Sequence, residues 1–205
     1  MMNSLKIEKK ELAPGIISFE NILENPNQFI FDLETSISLG FLSWGQAFQS
    51  GGTKNSKHEI EKSSRDCQVI SLTGCDSLDE SNKFGPRYEV HSFLNKNILP
   101  FLDLYKDDFS AHHWSNNEGW QILKYTESNH FVNHYDDSKQ FQRTISMSYC
   151  LNDGYEGGEI EFPRFNLKIK PKANQAIFFP SNYVYNHIVH PVISGTRYAI
   201  VGWWE

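Results

Sequence analysis

The second half of this chain is a series of short β-rich stretches with no helical pattern between them, and that leaves few folds open. From Trp120 onward WQILKY, RTISMSYCL, GGEIEFP, NLKIKP, AIFFP and RYAIVGWW follow one another. Turn signals separate them, the strongest being Asn152-Asp153-Gly154 and Gly157-Gly158. Strands this short and closely spaced leave no room for crossover helices. They must therefore pair antiparallel, in a sandwich or barrel. In the last stretch alternation places Arg197, Ala199, Val201 and Trp203 on one face, with Tyr198 and Ile200 on the other.

The first half has a different character. Leu12 to Phe19 reads as a lead-in strand broken at Pro14-Gly15. Asn21 to Leu42 carries Ile22, Leu23, Phe29, Ile30, Leu33 and Ile37 close to helical spacing, with Pro26 near the start. A second helix is expected over Tyr88 to Tyr105, burying Val90, Phe93, Leu94, Ile98, Leu99 and Leu102; Pro100 predicts a kink or an earlier end. Between these helices Gln49 to Asp66, QSGGTKNSKHEIEKSSRD, has almost no apolar anchor and reads as a long loop, either functional or a tolerated insertion. The expectation is one α+β domain over 1–205, with a mainly β core from about 120 to 205. The helical and lead-in part, about 1–110, packs outside that core.

Composition narrows the function classes. With 39% hydrophobic residues, including 15 Phe, 9 Tyr and 5 Trp, the chain can fill a sizeable core, which excludes wholesale disorder. A net charge of −6 argues against a nucleic-acid partner, because such proteins use a basic face to displace counterions. Cys67, Cys75 and Cys150 form an odd set without a CxxC pair, so neither a disulfide framework nor a zinc knuckle is indicated. The start, MMNSLKIEKKELAPG, has no apolar leader core, and no apolar run reaches membrane length. A cytoplasmic protein with no membrane partner is expected.

The chemistry concentrates in two segments. In NHFVNHYDDS, His134 and Asp136 are two apart, so on a strand both point to one face while Tyr135 points away. One imidazole and one carboxylate are two-thirds of a facial triad, which leaves open metal positions and suits non-haem iron. An HxD pair alone is common, and a surface His beside an Asp is its plain structural reading. A third ligand is available in YNHIVHPVISGTRYAIVGWW, as His187 or His190. Arg197 follows inside a β-branched and aromatic strand, where a charge is out of place. Its guanidinium must be paired, either structurally, with Asp136 or Glu159, or by clamping a ligand carboxylate in bidentate fashion.

Taken in order, LKYTESNHFVNHYD, QRTISMSYCLND, GYEGGEIEFP, LKIKPKANQAIFFPS and HIVHPVISGTRYAIVGW resemble the prolyl 4-hydroxylase-like branch of the iron(II)/2-oxoglutarate dioxygenases. The resemblance implies a double-stranded β-helix, or jelly roll, flanked by N-terminal helices. It selects His187 as the third iron ligand over His190, which becomes a rim residue. It implies iron(II), 2-oxoglutarate as cosubstrate held by Arg197 and Tyr125, O2, and ascorbate as a reductant. It places Trp203 on the pocket wall and Arg143 near the substrate, a prolyl residue of a peptide or protein. The family often has Tyr where this chain has Cys150, with Tyr149 on the opposite strand face; the carboxylate clamp is then expected to lean on Arg197 and another hydroxyl. Asp136 speaks against halogenation, which needs a small residue there. Trp203 speaks against nucleobase repair, whose enzymes carry a second Arg at that place. A zinc hydrolase on the same ligands would give Arg197 no role. A small-molecule hydroxylase acting on a free amino acid, and a non-catalytic jelly-roll binding module, are the alternatives.

Overall fold

The computed structural model describes residues 7–47, 64–75, 83–110, 117–140 and 142–205. Two antiparallel sheets carry the fold. In spatial order the larger contains β1 (Glu8–Ala13), β2 (Ile16–Glu20), β12 (Gln175–Pro180), β8 (Ile145–Cys150), β15 (Arg197–Trp204), β6 (Asn117–Tyr125), β5 (Gln68–Ser71) and β3 (Gly45–Gln46). The smaller contains β11 (Leu167–Ile169), β10 (Ile160–Phe162), β13 (His187–Val189), β7 (His130–His134) and β4 (Arg65–Asp66). A two-stranded ladder joins β9 (Glu156–Gly157) to β14 (Val192–Ser194). The expected antiparallel β core from Trp120 onward is present.

The large sheet is buried on both faces, and alternation along β15 shows how. Ile200 and Trp204 face a core with Trp120, Ile122, Met147, Tyr149 and Phe178. Ala199 faces a second cluster with Leu123 and Tyr125. Two helices, α1 (Pro26–Ser38) and α2 (Pro86–Asp108), contribute to the first core through Leu33, Leu94, Ile98, Phe101, Leu102 and Tyr105. Phe101 meets Phe19 edge-on at 5.6 Å, and Tyr105 stacks on Phe178 at 5.6 Å. The Tyr105 hydroxyl donates to the Gly15 carbonyl at 2.9 Å, tying α2 to the turn between β1 and β2.

Several local expectations change. The lead-in strand is a hairpin, with Pro14-Gly15 as its turn between β1 and β2. The first helix occupies only the middle of the 21–42 stretch: Asn25 caps it by accepting from the Gln28 N–H, and Pro26 stands at its first position. The second helix runs three residues past Tyr105 and continues through Pro100. Its buried stripe keeps Leu94, Ile98 and Leu102 of the expected set and adds His91, Phe101 and Tyr105; Val90 and Leu99 are partly buried against the same core, and Phe93 is 42% exposed. Of the long polar loop, 49–63 lies outside the described residues. Its end is not loop, since β4 pairs with β7, Arg65 opposite Phe131 and Asp66 opposite His130. No helix among the described residues is long and apolar enough to cross a membrane.

Phe178 is fully buried where the large sheet, α2 and Trp204 meet. Replacing it with Ala should cost about 3–5 kcal/mol, because the void cannot close over a rigid β core. Urea unfolding checks this, and a loss below 1 kcal/mol would contradict such packing.

Candidate metal and carboxylate site

β7 and β13 are antiparallel neighbours in the small sheet, and His134 stands directly opposite His187. Their rings lie 4.2 Å apart. Asp136 sits two residues past His134, just beyond the end of β7, rather than within the strand. Hydrogen bonds replace strand pairing there: the N–H groups of Asp136 and Asp137 both donate to the Ser181 carbonyl at 3.0 Å. The Ser146 hydroxyl donates to Asp136 Oδ2 at 2.6 Å and lies 2.7 Å from the Ser181 hydroxyl.

The three side chains converge. His134 Nε2 is 3.6 Å from Asp136 Oδ1, and His187 Nε2 is 3.9 Å from Asp136 Oδ2. One ligand atom from each lies within 4.8 Å of the others. The tautomers follow from the other ring nitrogens. Nδ1 of His134 lies 2.8 Å from the Val132 carbonyl, and Nδ1 of His187 lies 3.2 Å from that of Tyr185. A carbonyl only accepts, so Nδ1 carries the proton and the Nε2 lone pair is left facing the cluster.

Electrostatics agree with a ligand set. Burial and the neighbouring His187 push the His134 imidazole down to about 3, so it is neutral at ordinary pH. Burial alone would raise the Asp136 carboxyl. His187, His134, the Ser146 hydroxyl and Arg143 outweigh burial and hold it below the usual carboxylate range. Phe131 stacks on His134 with ring centroids 3.5 Å apart, and Phe162 and Phe179 flank His187.

The cluster opens into a cavity of about 40 Å³ whose wall includes Arg197, Tyr125 and Trp203. Arg197 is 1% exposed. Its Nε and Nη2 have no hydrogen-bond partner among the described residues, and no ion pair to Asp136 or Glu159 is present there. The Tyr125 ring lies 5.2 Å from the guanidinium, opposite Arg197 in the β6–β15 register. Trp203 stacks at 4.0 Å on Arg143, which is held by a bidentate pair with Glu118 at 2.6 and 2.7 Å. Arg143 also donates to the Asp136 carbonyl at 3.4 Å. It stands behind Trp203 rather than on the cavity wall. His190 points away from the cluster, 2.6 Å from Glu161.

Two residues were not singled out by the sequence. Ser146 carried a signal: with Ser148 it forms a polar row at alternate positions of a buried strand. Arg65, buried on the cavity wall with its guanidinium 5.0 Å over Phe131, was hidden in a polar segment that reads as loop. Gly157 and Gly158, read as a turn, serve a close approach. A Cβ on Gly157, at φ +72°, would stand 2.2 Å from the Pro191 carbonyl oxygen.

Two imidazoles, one carboxylate and a buried guanidinium thus gather around one cavity of the antiparallel β core. Residues 120–205 match the family model described as the 2OG-Fe(II) oxygenase superfamily. A PKHD-type hydroxylase of Synechococcus sp. (strain CC9902) is 39% identical over 72 residues, 33% of this chain and 32% of the relative. The chain therefore matches about a third of the length of such curated relatives. In fold it is similar to a Trichoplax adhaerens prolyl hydroxylase solved with a hypoxia inducible factor peptide fragment. That likeness has a TM-score of 0.70 and 18% identity, covering 93% of this chain and 83% of the other. It is also similar to the viral collagen prolyl hydroxylase of Paramecium Bursaria Chlorella virus-1 in its 2OG complex. There the TM-score is 0.61 and the identity 22%, with 93% and 95% covered.

An acid dependence follows from His134. Unfolded, its imidazole titrates near 6.5; folded, it stays neutral down to about 3. Below pH 6.5 the unfolded chain takes up a proton that the folded chain refuses, so the contribution to stability is lost as pH falls from 6.5 towards 3. Urea midpoints of the metal-free protein at pH 7 and pH 5 should show this decline, and His134→Gln should flatten it. An equal slope in the variant would contradict the assignment.

Proposed function

We propose that this protein is an iron(II)- and 2-oxoglutarate-dependent dioxygenase that hydroxylates an unactivated C–H bond, with a prolyl residue of a peptide or protein as substrate. The observation carrying this is the pairing, around one cavity, of three converging ligand atoms with a buried guanidinium whose Nε and Nη2 lack partners among the described residues. A cation fits the first, since the donor set is two imidazoles, that of His134 held neutral, and one ionised carboxylate. A carboxylate fits the second, since an unpaired buried guanidinium is costly until an anion joins it.

His134, Asp136 and His187 hold the metal, and Arg197 binds the far carboxylate of the cosubstrate with Tyr125 beside it. Bound iron and 2-oxoglutarate together supply oxygen activation, the cosubstrate being oxidised to succinate and carbon dioxide. The chain's part is placement. Ser146 and the Ser181 carbonyl orient Asp136, while the Val132 and Tyr185 carbonyls fix the imidazoles. Leu123, Ile160, Val189, Ala199 and Val201 keep water from the cavity. Trp203 and Arg143 form the side facing substrate, Arg143 acting through the ring it stacks on. We read 1–205 as one domain, with α1 and α2 as the helical flank of the jelly roll. The prolyl assignment takes its support from the hydroxylases to which the chain is similar. Three buried free cysteines suit a reducing, cytoplasmic setting.

An anaerobic titration with iron(II) and 2-oxoglutarate tests the reading without knowledge of the substrate. A visible charge-transfer band is expected only with both present. It should vanish in His187→Ala, together with turnover of prolyl peptides assayed with ascorbate. Arg197→Met should mainly raise the 2-oxoglutarate requirement, by about tenfold or more, since a charged hydrogen bond is lost. Iron binding without a band in the wild type would favour a binding module. A band without peptide turnover would turn the search to free amino acids.

A further inference from the structure

His134 and His187 are cross-strand partners, but their surroundings differ. His187 sits against the buried rings of Phe162 and Phe179. His134 ends a five-residue strand whose other neighbour is β4, two residues long at the margin of the small sheet. One hydrogen bond, at Nδ1 to the Val132 carbonyl, sets its tautomer. That bond fixes one ring atom and not the plane, since the last torsion of a histidine side chain is soft.

Phe131 supplies what is missing. Strict alternation would put residues 131 and 134 on opposite faces of β7. The register shows otherwise: Phe131 is opposite Val189 and His134 opposite His187, a step of three on β7 against two on β13. The extra residue bulges β7 and brings Phe131 and His134 to the same side, where both line the cavity with Val189 and His187. The two rings are nearly parallel, 17° apart, with centroids separated by 3.5 Å. At that van der Waals separation the imidazole cannot swing towards the phenyl ring without displacing it. Phe131 is held in turn. Arg65, directly opposite it on β4, carries its guanidinium 5.0 Å from the ring centroid. The same guanidinium donates to Gln121 Oε1 at 3.1 Å. Gln121 belongs to β6 of the large sheet, so Arg65 ties the stack to both sheets.

We propose that Phe131, re-aimed by the bulge in β7 and held by Arg65, is a positioning residue for the metal: its ring fixes the plane of the His134 imidazole and so the direction of the Nε2 lone pair. The role rests on the metal-site reading above and goes beyond it, since neither Phe131 nor Arg65 is a ligand.

Two measurements on the full chain test this, and neither needs turnover. Anaerobic calorimetry gives the affinity for iron(II) alone. NMR of the metal-free protein gives the Cε1–H resonance of His134, which a phenyl ring stacked this closely displaces. Phe131→Leu keeps an apolar side chain and loses the plane. Iron(II) affinity should then fall by about tenfold, as when other supports of a metal-bound histidine are removed, and the resonance should move towards that of an unstacked imidazole. Phe131→Tyr keeps the ring and should retain both properties. Arg65→Lys keeps the charge but not the planar fork, and should weaken iron(II) binding by less. In a Phe131→Leu background it should add nothing, because both residues act through one ring. Unchanged affinity in Phe131→Leu overturns the proposal, as does an equal loss in Phe131→Tyr, which would leave the ring no part. A wild-type protein that binds no iron(II), with the resonance still displaced, overturns the metal-site reading itself, and the positioning role falls with it.

Discussion

His134 and His187 are direct cross-strand partners between β7 and β13, and the rest of the site is arranged around that register. Side chains alternate along a strand, so slipping either strand by one residue would turn one imidazole away from the other. The neighbouring pairs hold the register: β13 is paired on its other side with β10, Ile160 opposite Val189, and β7 with β4. Aromatic rings on both sides of the imidazoles leave each little rotational freedom. Asp136 needs a different device because the strand has ended, and the Ser181 carbonyl and Ser146 hydroxyl provide it.

The second constraint is the buried charge of Arg197. A guanidinium cannot shed its proton under these conditions, so the fold must solvate it or leave it to a ligand. Here much is left to a ligand: the Tyr125 ring lies beside the guanidinium, and Nε and Nη2 have no partner among the described residues. The two halves of the site lie on different sheets, the two imidazoles on the small one and Arg197 on the large one. The distance between them is thus set by how the sheets pack, through Phe162, Ile160, Ile177 and Phe179 on one flank.

Much of this could be read from residues alone, and for one reason: period-2 alternation is local. It put Arg197, Ala199, Val201 and Trp203 on one face, and Arg197, Ala199, Val201 and Trp203 all line the cavity. It failed where local pattern and tertiary packing diverge. The helix stripe kept Leu94, Ile98 and Leu102 but lost Phe93, which stacks on Phe29, while His91 and Tyr105 turn inward. Pro100 did not end α2, and Arg65 escaped notice because a polar segment hid a strand completed only by pairing with β7.

The sequence by itself determined the β core, the two segments that carry the chemistry, and the anomaly of a charge in an apolar strand. These are properties of neighbours a few residues apart. Only the tertiary structure decided that His134 and His187 stand directly opposite on neighbouring strands, that Asp136 is held by hydrogen bonds rather than by a strand, and that Arg143 is spoken for by Glu118. Those contacts join residues distant in the chain, and their geometry is fixed by sheet register and close packing, which no local pattern encodes.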